Sequence, residues 1–415
     1  MQVTQVGYER ITLSPHNAIT PSSKRIQFRH PGKNTDYYRY MGHIYLDIDF
    51  SITTPTGAAV DESLEAGVIN YWNQTCIDSI DIKLNDVYIT RNTQNYPLRS
   101  IIEAYMTGNK LDADGRLAAA GFYMDGGDDV KADTTTNPGF KSRFELFKGG
   151  QPVCSVGKLH TDIGRTELFL PNGLDLDIVI NLKNDDFILM SKATHAGIFN
   201  LKDASLHIEI CHINPAVLTA HARVFQDHNA IIPFQHVEVR TENVPKGANT
   251  VSLDNIITGP LPTVIIVGLM DNQDLAGSRL TNSLCFKHYS LTELIFRVNG
   301  RPYLISPMDY ESNPKLYTPG YQSLLCATGQ IRSNESCLID YTRYPHGFAL
   351  YGLDLSADGE SGSQGTHTSM QRVGNLGITA KFKTAPANAV TFVFYCLWEG
   401  CTIEIDKFRN VFVSY

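Results

Sequence analysis

Ile77-Asp78-Ser79-Ile80-Asp81-Ile82-Lys83-Leu84-Asn85 and Leu291-Thr292-Glu293-Leu294-Ile295-Phe296-Arg297-Val298-Asn299 share one pattern: apolar-x-x-apolar-x-apolar-basic-apolar-Asn, followed by a turn. A second pair lies downstream. Arg99-Ser100-Ile101-Ile102-Glu103-Ala104 parallels Gln322-Ser323-Leu324-Leu325-Cys326-Ala327. The first pair is 214 residues apart (77 to 291) and the second 223 (99 to 322). Two matches in one order and at similar spacing imply a duplicated domain. A chain of 415 residues accommodates two β domains of roughly 200 residues each.

Period-2 alternation identifies those domains as β. Ile44, Leu46, Ile48, Phe50 and Ile52 alternate with Tyr45, Asp47, Asp49 and Ser51. Successive strand side chains point to opposite faces, so this is a strand with one dry face. The same rhythm runs through Leu174 to Leu182, Leu206 to Ile210, Val390 to Phe394 and Val411 to Tyr415. Twenty Tyr and 19 Phe favour strands, and 32 Gly and 19 Pro favour many turns. Two helices are predicted. Asn214 can cap a run from Pro215 to Val224, almost at the chain's midpoint, and Leu98 to Tyr105 follows Pro97. Long Gly/Asp/Ser loops cover 125–138 and 358–365. The fold class read from these features is all-β, two tandem eight-stranded jelly rolls with a short connecting helix. Alternation alone leaves another Greek-key sandwich open. The divisions are an N-terminal arm over 1–25, a first jelly roll over 26–213, a connector helix over 214–228 and a second jelly roll over 229–415.

Composition narrows the function. Hydrophobic residues make up 42% and charged residues 19%, and the net charge is −8. No Lys/Arg cluster suited to neutralising phosphates occurs, so specific nucleic-acid binding by the folded body is not expected. The eight cysteines, at 76, 154, 211, 285, 326, 337, 396 and 401, form no C-x-x-C pair and several sit in apolar runs. They read as buried reduced thiols. No secretion signal is read in Met1 to Pro15. The most apolar run, Leu261 to Met270, is too short to span a bilayer.

Motifs that could carry chemistry are weak. Asp112-Ala113-Asp114-Gly115 starts like a calcium loop but lacks the later Glu, so it reads as a solvated turn. Asp125, Asp128, Asp129 and Asp133 read as an exposed acidic loop. His207 and Cys211 share a strand face while His212 points away, which argues against one shared metal. His160 beside Asp162 and Arg165 suggests a loop salt bridge or an inter-subunit contact rather than acid/base work. No nucleophile elbow, phosphate-binding loop or H-E-x-x-H occurs. The expectation is no enzyme, with catalytic, cofactor-binding and metal residues all none.

Collinear blocks carry a resemblance. Leu170-Pro171-Asn172-Gly173-Leu174-Asp175-Leu176-Asp177-Ile178, then Lys183 and Asp186-Phe187-Ile188-Leu189-Met190, resemble the double jelly-roll major capsid proteins of the Polinton/Maverick, adintovirus and adomavirus group. Ile213-Asn214-Pro215, Gly259 to Leu269, Phe286-Lys287-His288-Tyr289, Val298-Asn299-Gly300, Gly374 to Ile378 and Ile403 to Lys407 are similar in the same order. The resemblance runs from about Ile26 onward. It implies a hexon-like homotrimer whose six jelly rolls tile an icosahedral virion capsid around double-stranded DNA. It also implies contacts with neighbouring capsomers, penton and minor capsid proteins, and synthesis in the host cytoplasm with assembly in the nucleus. The arm would order against a neighbour on assembly, and the loops 108–140 and 355–372 would face outward. The rivals are a carbohydrate- or receptor-binding β-sandwich and a single-jelly-roll vertex (penton) protein.

Overall fold

The computed structural model describes residues 4–32, 36–90, 95–126, 131–194, 196–312, 315–332, 337–357, 359 and 370–415. In the first half the main strands are β1 (Gln5–Leu13), β2 (Arg25–His30), β3 (Tyr37–Thr53), β4 (Ile77–Leu84), β5 (Val87–Thr90), β6 (Val153–Lys158), β7 (Leu176–Leu182) and β8 (Ile198–Ile213). In the second they are β9 (Ala230–Val244), β10 (Thr250–Pro260), β11 (Val264–Asp271), β12 (Leu291–Val298), β13 (Arg301–Ile305), β14 (Leu350–Asp354), β15 (Val373–Phe382) and β16 (Val390–Ile405). The sheets run β1-β8-β3-β6 and β2-β7-β4-β5, then β9-β16-β11-β14 and β10-β15-β12-β13. Counted from one to eight in each half, both read 1-8-3-6 and 2-7-4-5. That order is the jelly-roll Greek key. Short strands extend it: Phe169–Leu170 on β3, and Val411–Ser414 on β16.

The repeated block falls on β4 and β12, the fourth strands of the two halves, and its final Asn has a backbone reason. Both hairpins close through two residues, Asn85-Asp86 (φ 45° and 65°) and Asn299-Gly300 (φ 50° and 78°). Left-handed backbone at both central positions is what a tight hairpin matched to strand twist requires, and Asn, Asp and Gly tolerate it. The second repeated block falls on two helices, α1 (Tyr96–Thr107) and α4 (Thr318–Ala327), each following the fifth strand of its half. Between them in the chain are α2 (Pro138–Phe147) and α3 (Pro215–Asp227). In α3 the Asn214 side chain accepts from the Ala216 amide and Pro occupies the first turn.

One expectation changes. Part of the region read as an arm is β1, paired along β8 from Gln5–Ile213 to Leu13–Leu206. Its weak alternation is what an edge strand exposed on both faces produces: none of its residues is buried.

Core packing differs between the halves. On β3, Ile44, Leu46, Ile48, Phe50 and Ile52 are buried while Tyr45, Asp47 and Asp49 are half-buried. By contrast β11 is buried from Val264 to Met270 and β16 from Val390 to Trp398, on both faces. One face of that sheet packs under α4, where a Cβ on Gly352 would lie 2.4 Å from the Ala327 Cβ. Each fully buried Ile, Phe or Leu contributes about 2 kcal/mol of apolar transfer.

Candidate functional site

The two halves meet across a buried ionic network, built by α1 and the turn at residues 160–165 on one side and by β9 and β16 on the other. Arg99 and Glu103 are one helical turn apart on α1, so they share a face. Arg99 Nε lies 2.9 Å from Glu103 Oε1, and its Nη1 lies 2.7 Å from Asp162 Oδ1. Arg165 Nη2 donates to Glu103 at 2.8 Å. From the second half, His236 Nδ1 lies 2.9 Å from Asp162 Oδ2, and the Val237 amide donates to Asp162 Oδ1 at 3.2 Å. Arg165 reaches back to Gln235 Oε1 (3.0 Å) and the Tyr395 hydroxyl (2.8 Å), which itself donates to Glu103 at 3.2 Å. His160 Nδ1 sits 2.7 Å from Glu103 Oε2, and its Nε2 lies 2.9 Å from the Tyr71 hydroxyl.

Arg99, Glu103 and Asp162 are buried, so their charges survive only through one another. Burial alone would raise the Glu103 and Asp162 carboxyls. Arg165 and Arg99 hold Glu103 well below the carboxylate range, and Arg99 and His236 lower Asp162. Burial opposes a charged His236, but the hydrogen bonds to Asp162 and Glu238 overrule it and raise the imidazole to about 9. His160 goes the other way: burial lowers it despite Glu103. The centre of the network, Arg99, Glu103 and Asp162, is closed off from solvent, with Arg165, His160 and His236 half-buried around it, which suits a lock between domains and not a substrate site.

Further polar bonds cross the same junction. Asn282 donates to Asp125 at 3.1 Å, and Asp125 also pairs with Arg143 at 2.8 Å. Arg279 pairs with Asp186 at 2.7 Å and donates to the carbonyls of Ala196 and Gly197. Arg409 donates to Asn172, Asn85 donates to the Arg409 carbonyl, and the Tyr415 hydroxyl donates to the Ile89 carbonyl. Conversely, a cavity of about 310 Å³ between the halves is lined by Asp125 and Arg343, both already paired.

The residues weighed from sequence fall into place as follows. The His160, Asp162 and Arg165 segment is a salt-bridged junction inside one chain. Asp125 is corrected: it is buried and paired rather than part of an exposed acidic loop, because Arg143 and Asn282 converge on it. Asp128 and Asp129 lie outside the described residues, as does most of the predicted outer loop 355–372. Asp133 accepts from Thr135, and Asp112 pairs with Arg116 at 2.7 Å inside a capped helical turn. His207 contacts Thr12 and lies 3.7 Å from Asp47, while Cys211 is buried under α3 beside Tyr38. Trp72 and Trp398 are both buried, so neither offers an exposed platform for a sugar ring.

One cluster escaped sequence reasoning. Asp47, Asp49 and Cys154 place ligand-type atoms within 4.8 Å of one another on the open face of β3 and β6. Sheet register alone joins Asp49 to Cys154, so no local signal exists. Burial, then hydrogen bonds to Asp49 and Asp47, push the thiol up to about 12, and Cys154 Sγ donates to Asp47 at 3.2 Å. The protonated thiol serves here as a hydrogen-bond donor to Asp47. All eight cysteines are free thiols. Among the described residues no helix is long and apolar enough to cross a membrane.

Comparison with solved structures agrees with the strand order. All of the chain aligns with a chain of the Sputnik virophage at a TM-score of 0.64 and 10% identity, covering 89% of that chain. The mavirus major capsid protein aligns at 0.55 and 10% identity, over 98% of this chain and 90% of that one. The fold is a double jelly roll. The faustovirus major capsid protein aligns with this double jelly roll at 0.55 and 9% identity, over 96% of this chain and 91% of that one. By sequence, an uncharacterised protein of Caenorhabditis elegans is 21% identical over 396 residues, 92% of each chain. No family model matches the chain.

Proposed function

We propose that the chain is a major capsid protein: a structural subunit that forms homotrimers, each a pseudo-hexagonal tile, which pack into an icosahedral shell around a DNA genome. The observation that carries this reading is the pairing of two jelly rolls of one topology through a desolvated network. A lattice with six neighbours around each unit needs a near-hexagonal tile, and three copies of a duplicated domain provide one with a closed symmetry. The tile keeps its shape only if the two domains of each copy are held at one angle, which is what the Arg99–Asp162–His236 network supplies. On this reading the protein's work is geometric and turns over no substrate.

The sequence blocks favour the Polinton/Maverick, adintovirus and adomavirus group, with assembly in the nucleus of the host cell and penton and minor proteins as further partners. The domain division we propose is an arm over 1–25, a first jelly roll over 26–213, a connector over 214–228 and a second jelly roll over 229–415; the two pairs of sheets support it, with Gln5–Leu13 of the arm as an edge strand. Two jelly rolls in one chain disfavour a single-jelly-roll vertex protein. Light scattering of the purified chain tests the reading. A mass three times the 46.1 kDa chain, unchanged on dilution, together with shells in electron micrographs, is the expected result. A single-chain mass at every concentration would overturn it.

A further inference from the structure

The internal duplication lets each half be compared with its counterpart, and the two are not equally covered. In the first half α1 is buried along Tyr96 to Tyr105, between its own half's segment at 72–75 and β4 on one side and the second half on the other. Its counterpart α4 buries only Gly320, Leu324 and Ala327. The reverse holds for the first strand of each half. β9 packs on α1 and bonds to the turn at 160–165 through Gln235, His236 and the buried Val237. Its counterpart β1 has no buried residue, and leaves Val6 and Tyr8 exposed at 69% and 64%. So the chain has used one helix and one strand to join its halves. The equivalent helix and the equivalent strand are left open on opposite halves.

We infer that α4 of one copy packs against β1 of a second copy of this chain, repeating between subunits the contact that α1 makes with β9 within one. This rests on the trimer reading above and assigns its interface. The contact is head-to-tail, joining unlike surfaces, and such contacts close into a ring when the rotation between copies permits. With two jelly rolls per copy, each jelly roll in a three-copy ring then meets the next through the same helix-on-strand arrangement.

The side chains suit an interface that is wet before assembly. In the aligned blocks Gln322 replaces Arg99 and Cys326 replaces Glu103. The ionic pair of the inner junction thus becomes neutral on the open helix. A charged pair at this position would have to be desolvated each time copies met. Beyond α4, Ile331 is 47% exposed, and on the opposing strand Val6 and Tyr8 give the apolar complement. β1 is held in place for this role, since the Asn214 amide donates to the Thr4 carbonyl and the whole strand is laddered to β8.

The test uses the full chain and light scattering, with Tyr8→Glu, Gln322→Glu and, as a control on a remote exposed site, Leu304→Glu. Far-ultraviolet circular dichroism checks that each variant folds. The expected result is a three-chain mass for wild type and Leu304→Glu, and a single-chain mass for Tyr8→Glu and Gln322→Glu at the same concentration. A second arm pairs Tyr8→Cys with the native Cys326 in a Cys154→Ser background. Mild oxidation should then link chains covalently into dimers and trimers, and reduction should release them. A wild-type trimer that survives both substitutions and forms no such cross-link overturns this interface and leaves the trimer standing. A wild-type single-chain mass overturns the trimer reading and this contact with it.

Discussion

Raising the pH from 6.5 to 10 removes a proton from the bridge between the two jelly rolls, and the loss should be measurable as stability. His236 holds its proton through Asp162 at 2.9 Å and Glu238 at 3.3 Å, which raise its imidazole from 6.5 to about 9 against the cost of burial. The folded-state value lies above the unfolded one. The contribution is therefore complete below about 6.5 and is lost as pH climbs through about 9. A shift of between two and three units corresponds to about 3 kcal/mol. Urea unfolding across that window should show the free energy falling by about this amount more in the wild-type chain than in a His236→Gln variant. His236→Gln should start lower and lose far less over the same range. Proton NMR of the His236 ring gives the titration midpoint directly. A wild-type curve that falls no more than the His236→Gln curve, or a ring that titrates near 6.5, would refute the reasoning.

Asp162→Ala should destabilise by about 3–5 kcal/mol in urea unfolding, since it removes one of the two carboxylates that pair the buried Arg99 guanidinium and leaves His236 without its main acceptor; a loss under about 1 kcal/mol would mean that water replaces the carboxylate. Gly352→Ala should cost about 1–3 kcal/mol, because the new Cβ would meet Ala327 at 2.4 Å and the Ser323 carbonyl at 2.7 Å, prising α4 from β14; proteolysis within 318–327 should quicken in step. Asn299→Ala should destabilise by about 1 kcal/mol and so lower the melting midpoint, since Ala is strained at φ 50°, whereas Asn299→Gly should restore the backbone freedom. Cys154, though exposed, should react with thiol reagents more slowly at pH 8 than free cysteine, because its thiol is raised to about 12; Asp47→Asn should speed the reaction by removing one of the carboxylates that hold the proton.

Much of the fold was legible from residues near one another in the chain. The alternation through Ile44 to Ile52 and Leu174 to Leu182 marked β3 and β7, and the doubled block ending in Asn marked β4 and β12 with their hairpins. Asn214-Pro215 announced α3 at its true start. The sequence was silent where a strand lacks a dry face, as in β1, and where a strand has two, as in β11. Alternation vanishes in both cases, for opposite reasons. His160, Asp162 and Arg165 were visible as a charged knot, but nothing local distinguished a loop salt bridge from a junction between domains.

That distinction belongs to tertiary structure. Strand period, turn chemistry and helix caps act over a few residues, so the sequence by itself determined two duplicated β domains joined by a helix. The junction depends on groups far apart in the chain. Tyr395 meets Glu103 across 292 positions, and His236 meets Asp162 across 74. Whether a carboxylate is exposed or locked in a low-dielectric network depends on which strangers fold over it. Only the folded chain decided that α1 would be covered and α4 left open, because covering is a property of the second domain's position and not of the helix's own residues.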